Sequence, residues 1–117
     1  MNKFIWPLSK GIANWQQYSI RLALKAKKNR DVVGSASVDY LMYSGYLVMA
    51  YFWAQMAQSA YEKLAGEVEN RDFYRAKIKT AEFYFERILP RTKSLAATMM
   101  ADPKTLMQLD EDLLSFL

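Results

Sequence analysis

The side chains able to do chemistry in this chain form a narrow set. Sixteen Lys or Arg, twelve Asp or Glu and eight tyrosines are spread over 117 residues that contain neither histidine nor cysteine. Disulfides, thiol catalysis, imidazole or thiolate metal sites and any side chain that titrates unperturbed near neutrality are thereby excluded. Carboxylate-bridged metal pairs in helical bundles use Glu-x-x-His steps and fall on the same ground. Ser44 and Ser59 have no histidine to activate them as nucleophiles. Glu82 and Glu86 alternate with Lys and Arg on what reads as a solvated helix face, not in a cleft that would tune them for acid–base work. The four glycines lie too far apart to cradle a phosphate. These residue types predict no catalytic group, no cofactor-binding residue and no metal ligand in the chain.

The formal charge of +4 is polarised along the sequence. Residues 1 to 30 hold Lys3, Lys10, Arg21, Lys25, Lys27, Lys28 and Arg30 without one carboxylate, whereas Asp102, Asp110, Glu111 and Asp112 face only Lys104 at the other end. Lysines gathered at a helix C-terminus are favoured by the macrodipole, which is the simplest reading of the 25–30 cluster. A basic face can also meet anionic lipid or nucleic acid. The aromatics, however, fall in buried phase or in the uncharged middle of the chain and do not interleave with the lysines as stacking platforms would, so nucleic acid is not expected as a partner. No secretory signal is visible, and the absence of cysteine agrees with a reducing, cytoplasmic setting.

The elements that position these residues are helices. Apolar residues make up 52% of the chain, prolines number three, and no period-2 alternation occurs, which predicts one all-α core. A first helix is expected from about Leu8 to Asn29, with Pro7 near its first turn, Ser9 as a cap, and Ile12, Trp15, Ile20 or Ser19, Leu22 and Ala26 as its apolar stripe. A second begins between Asp31 and Ser37 and runs to about Ala65, where Gly66 ends it. Asn70 is expected to cap a third, which continues to about Ala101 with Tyr74, Ile78, Ala81, Phe85, Ile88, Leu95 and Met99 on its buried face. Pro90 removes a hydrogen bond within that pattern, and because the apolar period resumes in phase it predicts a kink. Asp102 and Pro103 open a short fourth helix ending near Leu109, and Leu106, Met107, Leu109, Leu113, Leu114 and Phe116 make the tail apolar enough that it is expected to dock. The expected fold is a single elongated up-and-down helical bundle over 1–117, with three long helices, the third kinked near Pro90, plus a short C-terminal one.

The second helix is unusual. From Tyr40 to Tyr61, 22 consecutive residues carry no charge, and Tyr46 to Ala54 are apolar on every face. Such a helix must be covered all round by protein or by lipid. Ser44, Gln55, Gln58 and Ser59 within it, and tyrosines scattered along it instead of forming two belts, argue against a transmembrane span. Protein on all sides is therefore the expectation, and Gly45 in mid-helix predicts a close backbone approach by a crossing helix.

Three segments carry a resemblance. Val38-Asp39-Tyr40-Leu41, Gly45-Tyr46, and Trp53-Ala54-Gln55-Met56-Ala57 with Ala60 resemble the central helix of the accessory C-terminal domain of a subset of acyl-CoA dehydrogenases. The run Lys79 to Arg91, reading KTAEFYFERILPR, is similar to that domain's most recognisable motif, and Leu106, Met107, Leu109 and Asp110 to its closing segment. The likeness extends over roughly residues 30 to 112 and points to bacterial enzymes similar to 3-methylmercaptopropionyl-CoA dehydrogenase. It implies a parent flavoprotein of fatty acid metabolism that oxidises an acyl-CoA to the 2-enoyl form with FAD as hydride acceptor. It also implies a catalytic core elsewhere in that enzyme, so this chain reads as a piece of a larger protein, and no catalytic residue is carried over.

The expected role is domain packing or subunit assembly against that core, in a homo-oligomer. Tyr43, Tyr46, Tyr51 and Trp53 are candidate contact residues, with core burial expected for at least half of them. Arg87, Arg91 and Lys93 are candidate anion contacts toward a CoA phosphate or an acidic surface. The alternative role is a stand-alone helical adaptor that binds anionic lipid or nucleic acid through its basic face.

Overall fold

A computed structural model of the chain describes residues 2–103 and 116. All regular structure among them is helical: α1 (Asn2–Lys28), α2 (Asp31–Ala65), α3 (Arg71–Phe83), a π-helical turn (Tyr84–Ile88) and α4 (Arg91–Met99). Helices α1, α2 and the bent α3–α4 rod run antiparallel in turn, and α2 packs against both of the others. The molecule measures 67 × 32 × 15 Å with a radius of gyration of 19.3 Å, against about 13 Å for a compact chain of this length. The expected short helix after Asp102 and the docking of Leu106, Met107, Leu109, Leu113 and Leu114 lie outside the described residues, whereas Phe116, expected to dock with them, is 86% exposed.

Helix α1 begins six residues earlier than its sequence suggests and carries Pro7 inside it. Tertiary packing overrides the proline. Phe4 is 1% exposed and meets Phe85 edge-on, with ring centroids 5.2 Å apart, and the Lys3 ammonium pairs with Glu82. The hydrogen bond to Lys3 holds the Glu82 carboxyl below its usual range, with Lys79 adding a smaller pull. The apolar stripe also shifts: Phe4, Leu8, Trp15, Tyr18 and Leu22 face the core, whereas Ile12 and Ile20 point outward. Ser9 is an exposed interior residue, not a cap.

The α1–α2 link is two residues long and held locally, since the Asn29 carboxamide oxygen accepts the Asp31 N–H at 3.0 Å. At the far end of α2, Gly66 stops the helix in extended backbone, and Arg71 donates to the carbonyls of Leu64 (2.9 Å) and Gly66 (3.1 Å). That guanidinium satisfies acceptors which a helix C-terminus otherwise leaves open. Asn70 stands at the N-cap of α3 in the left-handed region (φ 59°) and caps without its side chain; its carbonyl accepts the Phe73 N–H at 3.0 Å.

The third helix bends where proline predicted it. Pro90 has no N–H, and its ring would crowd the carbonyl four residues back in a regular helix. The chain widens into a π turn beforehand: the Leu89 N–H reaches back five residues to the Tyr84 carbonyl at 2.8 Å, and α4 restarts at Arg91. The buried face stays in phase across the bend through Ile78, Ala81, Phe85, Ala96 and Met99.

The close approach expected at Gly45 occurs at another glycine. A Cβ on Gly45 would meet nothing within 4 Å, so no helix of the described chain crosses there. The close approach is at Gly11, where a Cβ would lie 2.6 Å from Leu47 Cδ2. Gly45→Ala is accordingly expected to stabilise dilute protein by about 0.5–1 kcal/mol, the ordinary gain in a helix interior. Gly11→Val should destabilise it by about 1–3 kcal/mol through overpacking against Leu47. Urea midpoints of the two variants check the pair, and a destabilising Gly45→Ala would contradict the open face.

Candidate functional site

A cleft of about 320 Å³ with a partly polar lining lies between the first half of α1, the middle of α2 and the bend before α4. Its floor is Gly11, Leu47, Phe85 and Leu89; Trp6 and Pro7 line one side; Lys10, Asn14, Thr92 and Lys93 bring the polar groups. Tyr43 and Tyr18 line it too, ring edge to ring face with centroids 5.7 Å apart. Burial pushes the Tyr43 hydroxyl above its usual range, so it is a neutral hydrogen-bonding group at pH 7. No carboxylate of the described residues lines the cleft. Two ammonium groups, a carboxamide and hydroxyls suit an anion, and they supply neither a general base nor an activated nucleophile.

A second hollow, about 580 Å³, runs between the C-terminal half of α1 and the start of α2. It is an apolar groove lined by residues such as Leu22, Ala26, Val32, Ala36 and Leu41, with Ser19, Ser37, Ser44 and Tyr40 supplying the hydroxyls. A network fixes the two helices beside it. Trp15 Nε1 donates to Ser44 Oγ (2.8 Å), Ser44 Oγ donates to the Tyr40 carbonyl (2.8 Å), and Ser19 Oγ shares a hydrogen bond with the Tyr40 hydroxyl (2.7 Å).

The residues singled out from sequence do not converge on one place. Tyr43 is 3% exposed and belongs to the core wall of the cleft. Tyr46 and Trp53 are half-buried; the Tyr46 carbonyl accepts the Tyr84 hydroxyl at 2.6 Å, and Lys77 sits 6.0 Å above the Trp53 ring. Tyr51 is exposed and accepts a hydrogen bond from Gln55 Nε2 at 2.8 Å. Of the three cations, only Lys93 lines the cleft; Arg87 and Arg91 are exposed elsewhere.

The larger surface feature was not among those residues. Helix α2 turns alanines inward, with Ala50, Ala57 and Ala60 at 0–1% exposure, and leaves its bulk outside. Val38, Leu41, Met42, Val48, Met49 and Phe52 are exposed along one stripe. The expectation that Tyr40 to Tyr61 is shielded on all sides is thus not met by the described chain, which covers one side only. Because every face of this helix is apolar, the hydrophobic period carries no phase. The usable signal is the spacing of alanines, which marks where a neighbouring backbone must come close.

Among the described residues no three acidic, histidine or cysteine side chains group to hold a metal, and no helix is long and apolar enough to cross a membrane. What fold and surface define is a thin antiparallel helical bundle with a hydroxyl-and-ammonium cleft, an apolar groove and an open apolar helix face. Its family is shown by sequence. The family model for the acetyl-CoA dehydrogenase C-terminal-like domain matches residues 1–110, and the chain belongs to that family. No curated protein and no solved structure matches the chain.

Proposed function

We propose that this chain is a non-catalytic accessory domain of an FAD-dependent, cytoplasmic acyl-CoA dehydrogenase of fatty acid metabolism, serving domain packing or subunit assembly. The observation that carries this reading is the family match over residues 1–110. The open apolar surface supports it, since contiguous exposed patches of this kind mark contacts with protein. The catalytic core that bears the flavin and the acyl-CoA site is then a separate body of the parent enzyme.

The residues present here do not fit a flavin. The polar cleft, at about 320 Å³, is at the small end of ligand pockets (~300–1,000 Å³). Among the described residues, the larger groove offers a diphosphate side-chain hydroxyls alone. Purified chain is expected to lack the visible flavin absorbance and to leave acyl-CoA unoxidised in the presence of an artificial electron acceptor. A yellow protein that retains FAD through gel filtration would overturn the non-catalytic role. The natural reading frame tests the parent: a flavin-binding core encoded upstream supports it, and a stop codon there would favour a stand-alone adaptor instead.

A further inference from the structure

The open stripe of α2 has a pattern that packing against an arbitrary surface would not require. Around Gly45, apolar residues stand at three, four and seven positions on both sides: Met42 and Val48, Leu41 and Met49, Val38 and Phe52. All six are 46–71% exposed, and Gly45 between them has no neighbouring atom where a Cβ would project. The stripe is about 20 Å long from Val38 to Phe52 at 1.5 Å per residue. Reversed on itself about Gly45, the stripe sets a small side chain against a large one in two facing pairs, Val38 with Phe52 and Met42 with Val48, and two apolar chains of similar size in the third, Leu41 with Met49. That is the self-complementarity an isologous contact needs, and a small central residue lets two helix backbones meet.

We propose that this face pairs two copies of the chain, with their α2 helices antiparallel across a two-fold axis at Gly45. The inference deepens the packing-domain reading by naming a second copy as one of the bodies packed. Charge agrees with it. A two-fold contact buries any charge on the stripe twice over, and Asp39, the one charged residue between Val38 and Phe52, is partly buried and lies off the stripe. Area agrees as well. The six side chains expose roughly 600 Å² per copy, which brings two copies to the lower edge of a stable interface, about 1,200 Å² in total.

Because the chain has no cysteine, single-cysteine variants report the geometry directly. Sedimentation equilibrium of the full 117-residue chain at tens of micromolar is expected to give twice the monomer mass. Val48→Glu should raise the dimer dissociation constant at least tenfold with helical circular dichroism unchanged. Gly45→Cys should form an intermolecular disulfide under mild oxidant. A mixture of Met42→Cys and Val48→Cys proteins should cross-link to each other more than either does to itself. A wild-type monomer up to 100 µM on the order used for such assays would overturn the proposal. So would a dimer that survives Val48→Glu, or one that forms only after residues 104–117 are removed, which would assign the face to the chain's own tail. Dimerisation without an upstream flavin core would leave this inference standing and remove the parent-enzyme reading; a flavin core upstream of a monomeric chain would do the reverse.

Discussion

Replacing Phe4 by alanine is expected to lower stability by about 3–5 kcal/mol, the range for truncating a fully buried aromatic. Phe4 is the largest side chain below 2% exposure along with Met99, and it sits edge-on to Phe85 at the start of the bend in the third rod. The ring is buried against Phe85, so its loss combines transfer free energy with an unfilled cavity. Total stabilities of domains this size are about 5–15 kcal/mol, so the variant should be substantially unfolded at modest urea. Phe4→Leu should lose much less, and Lys3→Ala little, because the Lys3 ammonium is half exposed. Urea denaturation with hydrogen exchange over residues 2–10 separates global loss from fraying. A Phe4→Ala variant within 1 kcal/mol of wild type would mean that the first two turns of α1 are dispensable to the core.

The second large effect is a pH dependence. Burial pushes the Tyr84 hydroxyl up to about 12, while it donates at 2.6 Å to the Tyr46 carbonyl on α2. In the unfolded chain the same phenol ionises near 10, so above that pH the unfolded state gives up a proton that the native state keeps. Stability therefore falls as pH rises from about 10 to about 12, by roughly 2–3 kcal/mol from this residue. Tyr84→Phe reverses the ranking: about 1 kcal/mol less stable at pH 7 for want of the hydrogen bond, yet with a shallower alkaline decline. Tyr43, also raised by burial, supplies part of the slope that remains. Identical alkaline slopes in the two proteins would show that Tyr84 ionises freely in the folded state.

Much of the fold was readable because the signals were local. Gly66 ended α2, the phase of Ile78, Ala81 and Phe85 marked the inner face of α3, and Pro90 located the bend. What escaped depended on distant neighbours. Pro7 resembles a helix start until Phe85 is known to receive Phe4, and Ile12 resembles a core residue until Leu47 is seen to press on Gly11. The same holds for surface function. Arg87, Arg91 and Lys93 share a segment of sequence, but the π turn lies between Phe83 and Leu89 and only Lys93 turns to the cleft. A helix apolar on all sides carries no mark of the direction Gly45 faces, and the space beside that glycine is open.

The alanine seam of α2 inverts the usual map of mutational tolerance. Ala50, Ala57 and, opposite on α3, Ala81 are at 0% exposure, so even one added methylene there wedges two rods apart. Leu41, Met49 and Phe52, which any hydropathy ranking would guard, can each accept a polar side chain without disturbing the fold of a lone copy. In a saturation screen scored for folding, the smallest side chains of this helix would be its most sensitive letters and several of its largest the most permissive.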